Sequence, residues 1–300
     1  MLKRTGFAIA CALIAAALYG CVLSLTKIGL NNGVPPVEVT FFRTSLIAVV
    51  LAIAAVITGE RFSLPRAAWP SFAIQALATV TISVAYLASI AFISIGLAVI
   101  IYFTFPVMIL LVAPLVEGHR PGPVRIAIAF VAFAGLAVAI GPSLEKLDPR
   151  GLGLAALAAI ATVAQFLSGR AVSPHLRPLV LGSLVHAAIW PITLVIATWV
   201  GGGNLSLFPG GGVPVLGYLA LLGVGAAYSL AYFVHMTSLR NAPASTVAPF
   251  YNLEPIVTTG LAALLLGEVL ALHQYAGGGM VLAALIASSL YDLQKARADA

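Results

Sequence analysis

The sequence predicts an all-α polytopic membrane protein in which ten transmembrane helices form two inverted five-helix repeats around a central cavity. Three observations lead to this fold class. Of 300 residues, 61% are hydrophobic and only 8% are charged, whereas soluble domains carry about 25% charged residues. The apolar residues also fall into ten runs, each close to the roughly 20 residues that cross a bilayer. Finally, the second half of the chain repeats features of the first.

The ten predicted spans are apolar runs between polar or Gly/Pro-rich separators. The separators are short, as in Asn31-Asn32-Gly33 and Gly118-His119-Arg120-Pro121, so none of them can fold as a separate domain. The halves are residues 1–143 and 144–300, with five spans each. The predicted spans are 6–29, 37–59, 67–92, 97–116, 123–141, 151–171, 178–200, 213–237, 244–267 and 272–292.

The distribution of basic residues predicts the orientation. With a cytoplasmic N-terminus, eleven of the 15 Lys and Arg residues lie on the cytoplasmic side, three lie outside, and Arg43 lies within the second span. This bias follows the positive-inside rule, so both termini are expected in the cytoplasm. The net charge of +6 is scattered over the loops rather than clustered. We therefore expect no nucleic-acid partner.

A repeated motif relates the two halves. Tyr102-Phe103-Thr104-Phe105-Pro106 in the fourth span is echoed 149 residues later by Tyr251-Asn252-Leu253-Glu254-Pro255 in the ninth. Each motif is followed by an apolar run that ends in a glutamate, Glu117 or Glu268, for which we expect structural roles. Because each repeat holds five spans, an odd number, the second must be inverted. Inverted repeats with interrupted helices are typical of alternating-access transporters with a binding site near the midplane.

The two prolines predict kinks, because proline has no N–H to bond the carbonyl four residues earlier. Pro106 and Pro255 thus free the carbonyls of Tyr102 and Tyr251. We expect both tyrosines to line a cavity or its gates. The alternative is that the prolines only curve the helices and the tyrosines are packing residues.

Further cavity candidates come from polar and aromatic side chains within the spans, since such groups usually face the bundle interior. Packing between helices is the alternative, which we favour for a lone Ser or Thr. Glu254 could bind a substrate amine, carry a proton or only stabilise the kink. Arg43 is expected near the membrane surface rather than at the substrate. The candidates are Gln75, Thr79, Ser83 and Tyr86 in the third span, Gln165 in the sixth, His186 and Trp190 in the seventh, Tyr228 and Tyr232 in the eighth, which share one helical stripe with His235, and Asn252 and Glu254 in the ninth.

Two other classes of protein have no support in the sequence. The histidines lie on different spans and show no metal-binding spacing such as His-x-x-x-His. The chain also contains no Gly-x-Ser-x-Gly nucleophile motif and no His-Glu-x-x-His motif. We therefore expect no metal, no cofactor and no enzymatic activity.

The chain resembles the drug/metabolite transporter superfamily in its ten-helix EamA-type branch. The resemblance rests on Leu18-Tyr19-Gly20, Lys27, Phe42-Arg43 and the two segments that run from proline to glutamate. YddG-type bacterial amino-acid exporters are the most similar group in size and layout. The resemblance implies export of neutral amino acids, aromatic or other, from the bacterial inner membrane, with the fifth and tenth spans outside the cavity. Gln165 departs from the aromatic residue that relatives often carry.

Alternatives to an amino-acid exporter are a drug or sugar-phosphate carrier of the same superfamily and a non-transporting membrane scaffold. Small residues in the fifth and tenth spans, Gly135-x-x-x-Ala139 and Gly279-x-x-x-Ala283-x-x-x-Ala287, predict close helix packing. They could lock each five-helix half or form a homodimer contact, so the protein is expected to be a monomer or a homodimer in the bilayer.

Overall fold

A computed structural model describes residues 2–118, 122–141, 147–200, 212–266 and 269–298. Within these ranges the chain is helical and contains no strand. Two 3-10 turns, Arg66–Ala68 and Ala248–Asn252, accompany the α-helices. The helices are α1 Leu2–Asn31, α2 Pro36–Ile57, α3 Trp69–Ser89, α4 Ile95–Tyr102, α5 Phe105–Val116, α6 Pro123–Ile140, α7 Pro149–Val172, α8 Pro178–Val200, α9 Val215–Asn241, α10 Ala244–Val247, α11 Leu253–Leu266 and α12 Leu272–Ala298.

These helices confirm the ten predicted segments. Eight described segments are long and apolar enough to cross a bilayer, from Arg4–Asn31 to Val215–Asn241, and α4 and α5 together form the fourth of them. The ninth segment is α10, the second 3-10 turn and α11, and the tenth is α12. We call the membrane face at which α1 begins the near face, and the opposite one the far face.

Several helices begin at residues that suit a helix N-terminus. Pro36, Pro123 and Pro149 are the first residues of α2, α6 and α7, where the missing N–H costs no intrahelical bond. Asp148 caps α7 by accepting a hydrogen bond from the Arg150 backbone N–H at 2.9 Å. The Arg150 side chain bonds the same carboxylate, and these bonds lower the pKa of Asp148 below its usual value.

The helix contacts show the symmetry of the two repeats. Helix α1 packs on α9, and the helices that correspond to them in the other repeat, α7 and α3, pack on each other in the same way. Helices α2 and α8 correspond to each other in the two repeats and are in contact, and the same is true of α6 and α12. The interrupted spans follow the rule too, because α1 contacts α11 while α7 contacts α4 and α5. The core therefore forms between the repeats rather than inside each one.

Helices α6 and α12 pack on each other, a pairing that the sequence did not predict, and the contact uses the predicted small residues of α6 but a different face of α12. Gly135 packs on Gly277, and a Cβ placed on Gly277 would meet the backbone of Gly135 and Ala139. Gly279, in contrast, has open space beside its Cα. The row of Gly279, Ala283 and Ala287 is exposed. The sequence prediction named the wrong row because three consecutive glycines, 277 to 279, each begin a row of apolar or small residues.

A leucine at position 277 is expected to destabilise the protein, whereas a leucine at 279 is not. Both substitutions replace a helical glycine, so both gain the same helix propensity. Only the side chain at 277 must fit between two backbones, and such overpacking costs about 1–3 kcal/mol or more. Thermal unfolding of Gly277→Leu and Gly279→Leu in detergent measures the difference. Equal midpoints would contradict the packing described here.

Candidate functional site

The fourth and ninth spans are both interrupted at their Tyr-x-x-x-Pro motifs. Helix α4 ends at Tyr102, and α5 starts at Phe105 with Pro106 as its second residue. In the ninth span a 3-10 turn ending at Asn252 separates α10 from α11. Tyr102 is the eighth residue of its span counted from the far face, and Tyr251 is the eighth counted from the near face. Inversion of the repeats thus gives the tyrosines equivalent depths on opposite sides.

Each of these tyrosines pairs with a ring from a neighbouring helix. The ring centroids of Tyr86 and Tyr102 lie 5.2 Å apart, and those of His235 and Tyr251 lie 5.0 Å apart. His235 follows Tyr86 by the same 149 residues that separate the two tyrosines. The two ring pairs therefore occupy corresponding positions in the two repeats.

The corresponding pairs differ in burial. His235 and Tyr251 are each only 2% exposed. Phe166 completes the closed cluster, with its ring 4.5 Å from His235 and 5.0 Å from Tyr251, centroid to centroid. Tyr86 and Tyr102 are half-buried. The His235–Tyr251 pair is therefore less exposed than its counterpart, the Tyr86–Tyr102 pair.

A buried polar network fixes the near half further. Gln75 Nε2 donates to Tyr232 Oη at 3.0 Å, and Ser168 Oγ donates to Gln75 Oε1 at 2.7 Å. Gln165 Nε2 donates to Thr79 Oγ1 at 2.9 Å. These bonds join α3, α7 and α9. Three of the side chains, Gln75, Thr79 and Gln165, are cavity candidates that the sequence predicted in the third and sixth spans. Ser168 was not predicted, although it lies one turn from Gln165 on the same face of α7.

Three polar atoms at the His235–Tyr251 pair and the adjacent Asn252 are buried without a hydrogen-bond partner among the described residues. They are His235 Nε2, Tyr251 Oη and Asn252 Oδ1. The other polar atoms of two of these side chains are satisfied, since His235 Nδ1 lies 3.4 Å from Tyr19 Oη and Asn252 Nδ2 donates to the Pro249 carbonyl. A buried unpaired polar group costs about 1–3 kcal/mol. The closed arrangement thus leaves polar groups that water or a solute would satisfy if this half opened.

Tyr19, which the sequence analysis used only as part of a family motif, lies at the centre of the site. Its ring packs at 5.8 Å from Tyr228 and at 6.4 Å from Tyr251. The adjacent Gly20 lies against the backbone carbonyl of Glu254, and a Cβ there would be 2.8 Å from that oxygen. Glu254 itself is half-buried. Helix α1 therefore links the ninth span to the aromatic residues of α9.

Arg43 lies inside the protein rather than near the membrane surface, which corrects the expectation for this residue. It is the eighth residue of α2, at the depth of Tyr102. Its Cζ stacks 4.1 Å above the centre of the Tyr228 ring, and Nη2 donates to Ser83 Oγ at 3.1 Å. Arg43 and Ser83 are both half-buried. The far half therefore presents a guanidinium beside tyrosine rings.

His186 is held in a defined tautomer next to the same ring. Its Nδ1 lies 2.8 Å from the Gly182 carbonyl, which can only accept, so Nδ1 carries the proton. Nε2 is then the acceptor for Tyr228 Oη at 3.3 Å. Tyr228 is thus held at its hydroxyl by His186 and at the face of its ring by Arg43.

Trp190 does not join the aromatic cluster, contrary to its assignment to the cavity. Its indole N–H donates to Ser45 Oγ at 2.9 Å, and its ring packs 5.8 Å from Phe41. Ser45 and Phe41 are two residues from Arg43 on either side, so they lie on the opposite face of α2. Trp190 is 37% exposed. We therefore place it at the exterior of the α2–α8 pair.

Glu117 has the structural role that the sequence predicted, at the near face. Its carboxylate accepts hydrogen bonds from the Ala244 N–H at 2.6 Å, the Ser245 N–H at 3.4 Å and the Ser245 hydroxyl at 2.7 Å. It thereby caps the start of the ninth span from the end of the fourth. Its counterpart Glu268 lies outside the described residues.

Two interrupted helices, one from each of two inverted repeats, surround a polar and aromatic interior. This arrangement is typical of helical membrane transporters, and the match to a family model agrees with it. The model of the EamA-like transporter family matches residues 6–141 and 149–290. The chain therefore belongs to that family. A comparison with curated proteins gives no significant match. One crystal structure superposes with a TM-score of 0.78 over 95% of this chain and 98% of its own, at 16% identity, which shows a shared fold.

Proposed function

We propose that this transporter exports neutral amino acids and related small metabolites from the bacterial cytoplasm by alternating access. The observation that carries the mechanism is the unequal burial of the two corresponding ring pairs. Rocking of the repeats would exchange the two arrangements: the His235–Tyr251 pair would open as the Tyr86–Tyr102 pair closes. The amino-acid substrate is proposed from the resemblance to YddG-type exporters. The boundary between the two repeats is proposed to lie between residues 143 and 144.

The site supports a small amphiphilic solute. Tyrosine rings from α1, α3, α4 and α9 offer apolar faces with polar tips. Glu254 offers a carboxylate for a substrate amine from the kink of the ninth span. A sugar phosphate would call for several cations, whereas Arg43 is the basic residue that the structure places among these rings. This composition favours an amino acid over a sugar phosphate.

Purified protein in liposomes tests the proposal. We expect saturable efflux of a radiolabelled neutral amino acid, with competition by a subset of the twenty amino acids. Liposomes with the Gly279→Leu variant, whose new side chain has open space beside it, keep the aromatic site intact and should show wild-type flux, so they control for the preparation. Flux of drugs or sugar phosphates without any amino-acid flux would favour the other carriers, and no saturable flux of any solute would favour a scaffold.

Both termini are expected in the cytoplasm of the bacterial inner membrane, with the segment between the fifth and sixth spans outside. That segment includes Lys146, which lies outside the described residues, and Arg150. The expectation rests on the eleven-to-three bias of the basic residues. An alkaline-phosphatase fusion after Arg297 should be inactive and one after Arg150 active. The reverse pattern would overturn the orientation.

Transport is expected not to require proton coupling. The first span contains no Asp or Glu between Gly6 and Leu30, and Glu254 is the carboxylate that could replace one. Flux in liposomes should therefore change little, within about twofold, when a pH gradient is imposed, because no obligatory protonation step has to be driven. A strong dependence on the gradient that disappears in Glu254→Gln would show that Glu254 carries a proton.

A further inference from the structure

We infer that Arg43 binds the carboxylate of the transported solute from the far half of the site. This inference rests on the proposed function and deepens it, because it assigns the substrate class to solutes with a carboxylate and names the residue that recognises it. The sequence pattern did not indicate this role, since a single arginine near a helix end is more often an interfacial residue.

The charge of Arg43 is costly at its position in the membrane. Arg43 lies two turns into an apolar helix, where a charged side chain is expensive and generally serves a function. An opposite charge normally offsets such a cost. Among the described residues, no carboxylate forms an ion pair with Arg43. The guanidinium is thus a cation at membrane depth that is in direct contact with no carboxylate of the described residues.

The Arg43 side chain does not use its full hydrogen-bonding capacity. A guanidinium carries five N–H donors. One of them reaches Ser83 Oγ, while Nε is buried without a partner among the described residues. The Tyr228 ring covers one face of the guanidinium at 4.1 Å and holds its plane in place. The side chain is therefore oriented while several donors remain available.

The guanidinium of Arg43 matches a carboxylate in shape and in charge. The planar fork of an arginine accepts a carboxylate in a bidentate manner. A single guanidinium supplies one positive charge, which balances a carboxylate but not the two negative charges of a phosphate monoester. Arg43, Ser83, Tyr86 and Tyr102 are all half-buried, so the guanidinium and the groups around it keep part of their surface accessible. A carboxylate bound there would have tyrosine rings beside it for the rest of the solute.

A purely structural role is the competing interpretation, because the same two contacts tie α2 to α3 and α9. The two roles differ in what they predict for ligands without a carboxylate. If Arg43 only holds helices together, its loss lowers flux of all solutes alike. If it binds the carboxylate, its loss weakens binding of the acids and spares the amides, in which an uncharged carboxamide replaces the carboxylate.

The experiment compares inhibition of efflux by acid and amide pairs, L-phenylalanine with L-phenylalaninamide and L-leucine with L-leucinamide. Wild type, Arg43→Gln, Arg43→Lys and Arg150→Gln are reconstituted at equal density. Arg150 is the matched control, because it also stacks on a ring, Phe92 at 4.4 Å, and bonds a side chain near the far face. Solute-dependent thermal stabilisation of each variant gives binding without a need for flux.

We expect wild type and Arg150→Gln to prefer each acid over its amide by about tenfold or more, as a charged hydrogen-bond pair allows. In Arg43→Gln this preference should fall to near one, and Arg43→Lys should retain part of it. A preference unchanged in Arg43→Gln, or an equal loss for acid and amide, would overturn the inference. If wild type binds and moves neither acid nor amide, the amino-acid proposal itself fails, which is a different result.

Discussion

Replacing Tyr102 or Tyr251 by alanine should lower the maximal transport rate by about tenfold or more while the protein remains folded and in the membrane. The two tyrosines occupy corresponding positions, and in an alternating mechanism each closes the pathway in one of the two states. Removing either ring weakens the seal of one state and so slows the cycle, although the neighbouring rings still cover the position. Transport rates in liposomes at equal protein density measure the effect.

The alanine variant at 251 needs a second variant beside it, because removal of a buried aromatic ring costs about 3–5 kcal/mol of stability. Tyr251→Phe keeps the ring and removes only the hydroxyl, which has no partner among the described residues in the closed arrangement. Tyr275→Ala is the matched control, since Tyr275 is 63% exposed on α12. Wild-type kinetics in both Tyr102→Ala and Tyr251→Ala would show that the repeated motif is only architectural.

Weakening the Glu117 contact should open the near half more often. Glu117 joins the fourth span to the ninth through three hydrogen bonds to one carboxylate. Hydrogen bonds to a charged group contribute about 1.5–3 kcal/mol each. Loss of even one such bond in Glu117→Gln would change the ratio of the two states by roughly tenfold or more. The thiol of a Tyr251→Cys variant should then react faster with a reagent applied from the near face.

Asp148→Asn is the control for this effect. Asp148 is also a carboxylate at a helix N-terminus, but it caps its own helix and joins no two spans. It should therefore leave the reactivity at position 251 unchanged. Equal reactivity in Glu117→Gln and the parent protein would mean that the contact does not hold the near half closed.

The spans and their order were predictable from the sequence because a bilayer imposes a length of about 20 apolar residues on each helix. The two interruptions were predictable for a similar reason, since proline removes a backbone donor wherever it occurs. The symmetry of the Tyr102 and Tyr251 motifs followed from their spacing alone. These features depend on local chemistry and on the environment, and neither requires knowledge of which helices touch.

The faces of the helices were harder to predict. Apolar residues surround each membrane helix, so the pattern does not show which side faces the interior. Trp190 was assigned to the cavity because it lies on the same face of its helix as His186. In the structure it contacts Ser45 and Phe41, which lie on the face of α2 opposite Arg43. Arg43 was expected near the membrane surface because it lies close to the start of its helix, and its contacts with Tyr228 and Ser83 depend on helices that no local pattern contains. The choice between Gly277 and Gly279 on α12 likewise depended on the position of α6, which no local pattern contains.

The most direct test of the account is the accessibility of positions 102 and 251 from the two faces of the membrane. Tyr102→Cys and Tyr251→Cys are made one at a time in a protein whose two free cysteines, Cys11 and Cys21, have been replaced by alanine. A membrane-impermeant thiol reagent is then applied from each side, with and without a transported amino acid. We expect the thiol at position 102 to react from the far face and the thiol at position 251 to be protected at rest. Substrate should raise labelling of position 251 from the near face while lowering that of position 102. Labelling of the two positions that rises or falls together, or that does not respond to substrate, would contradict alternating access between these two corresponding sites.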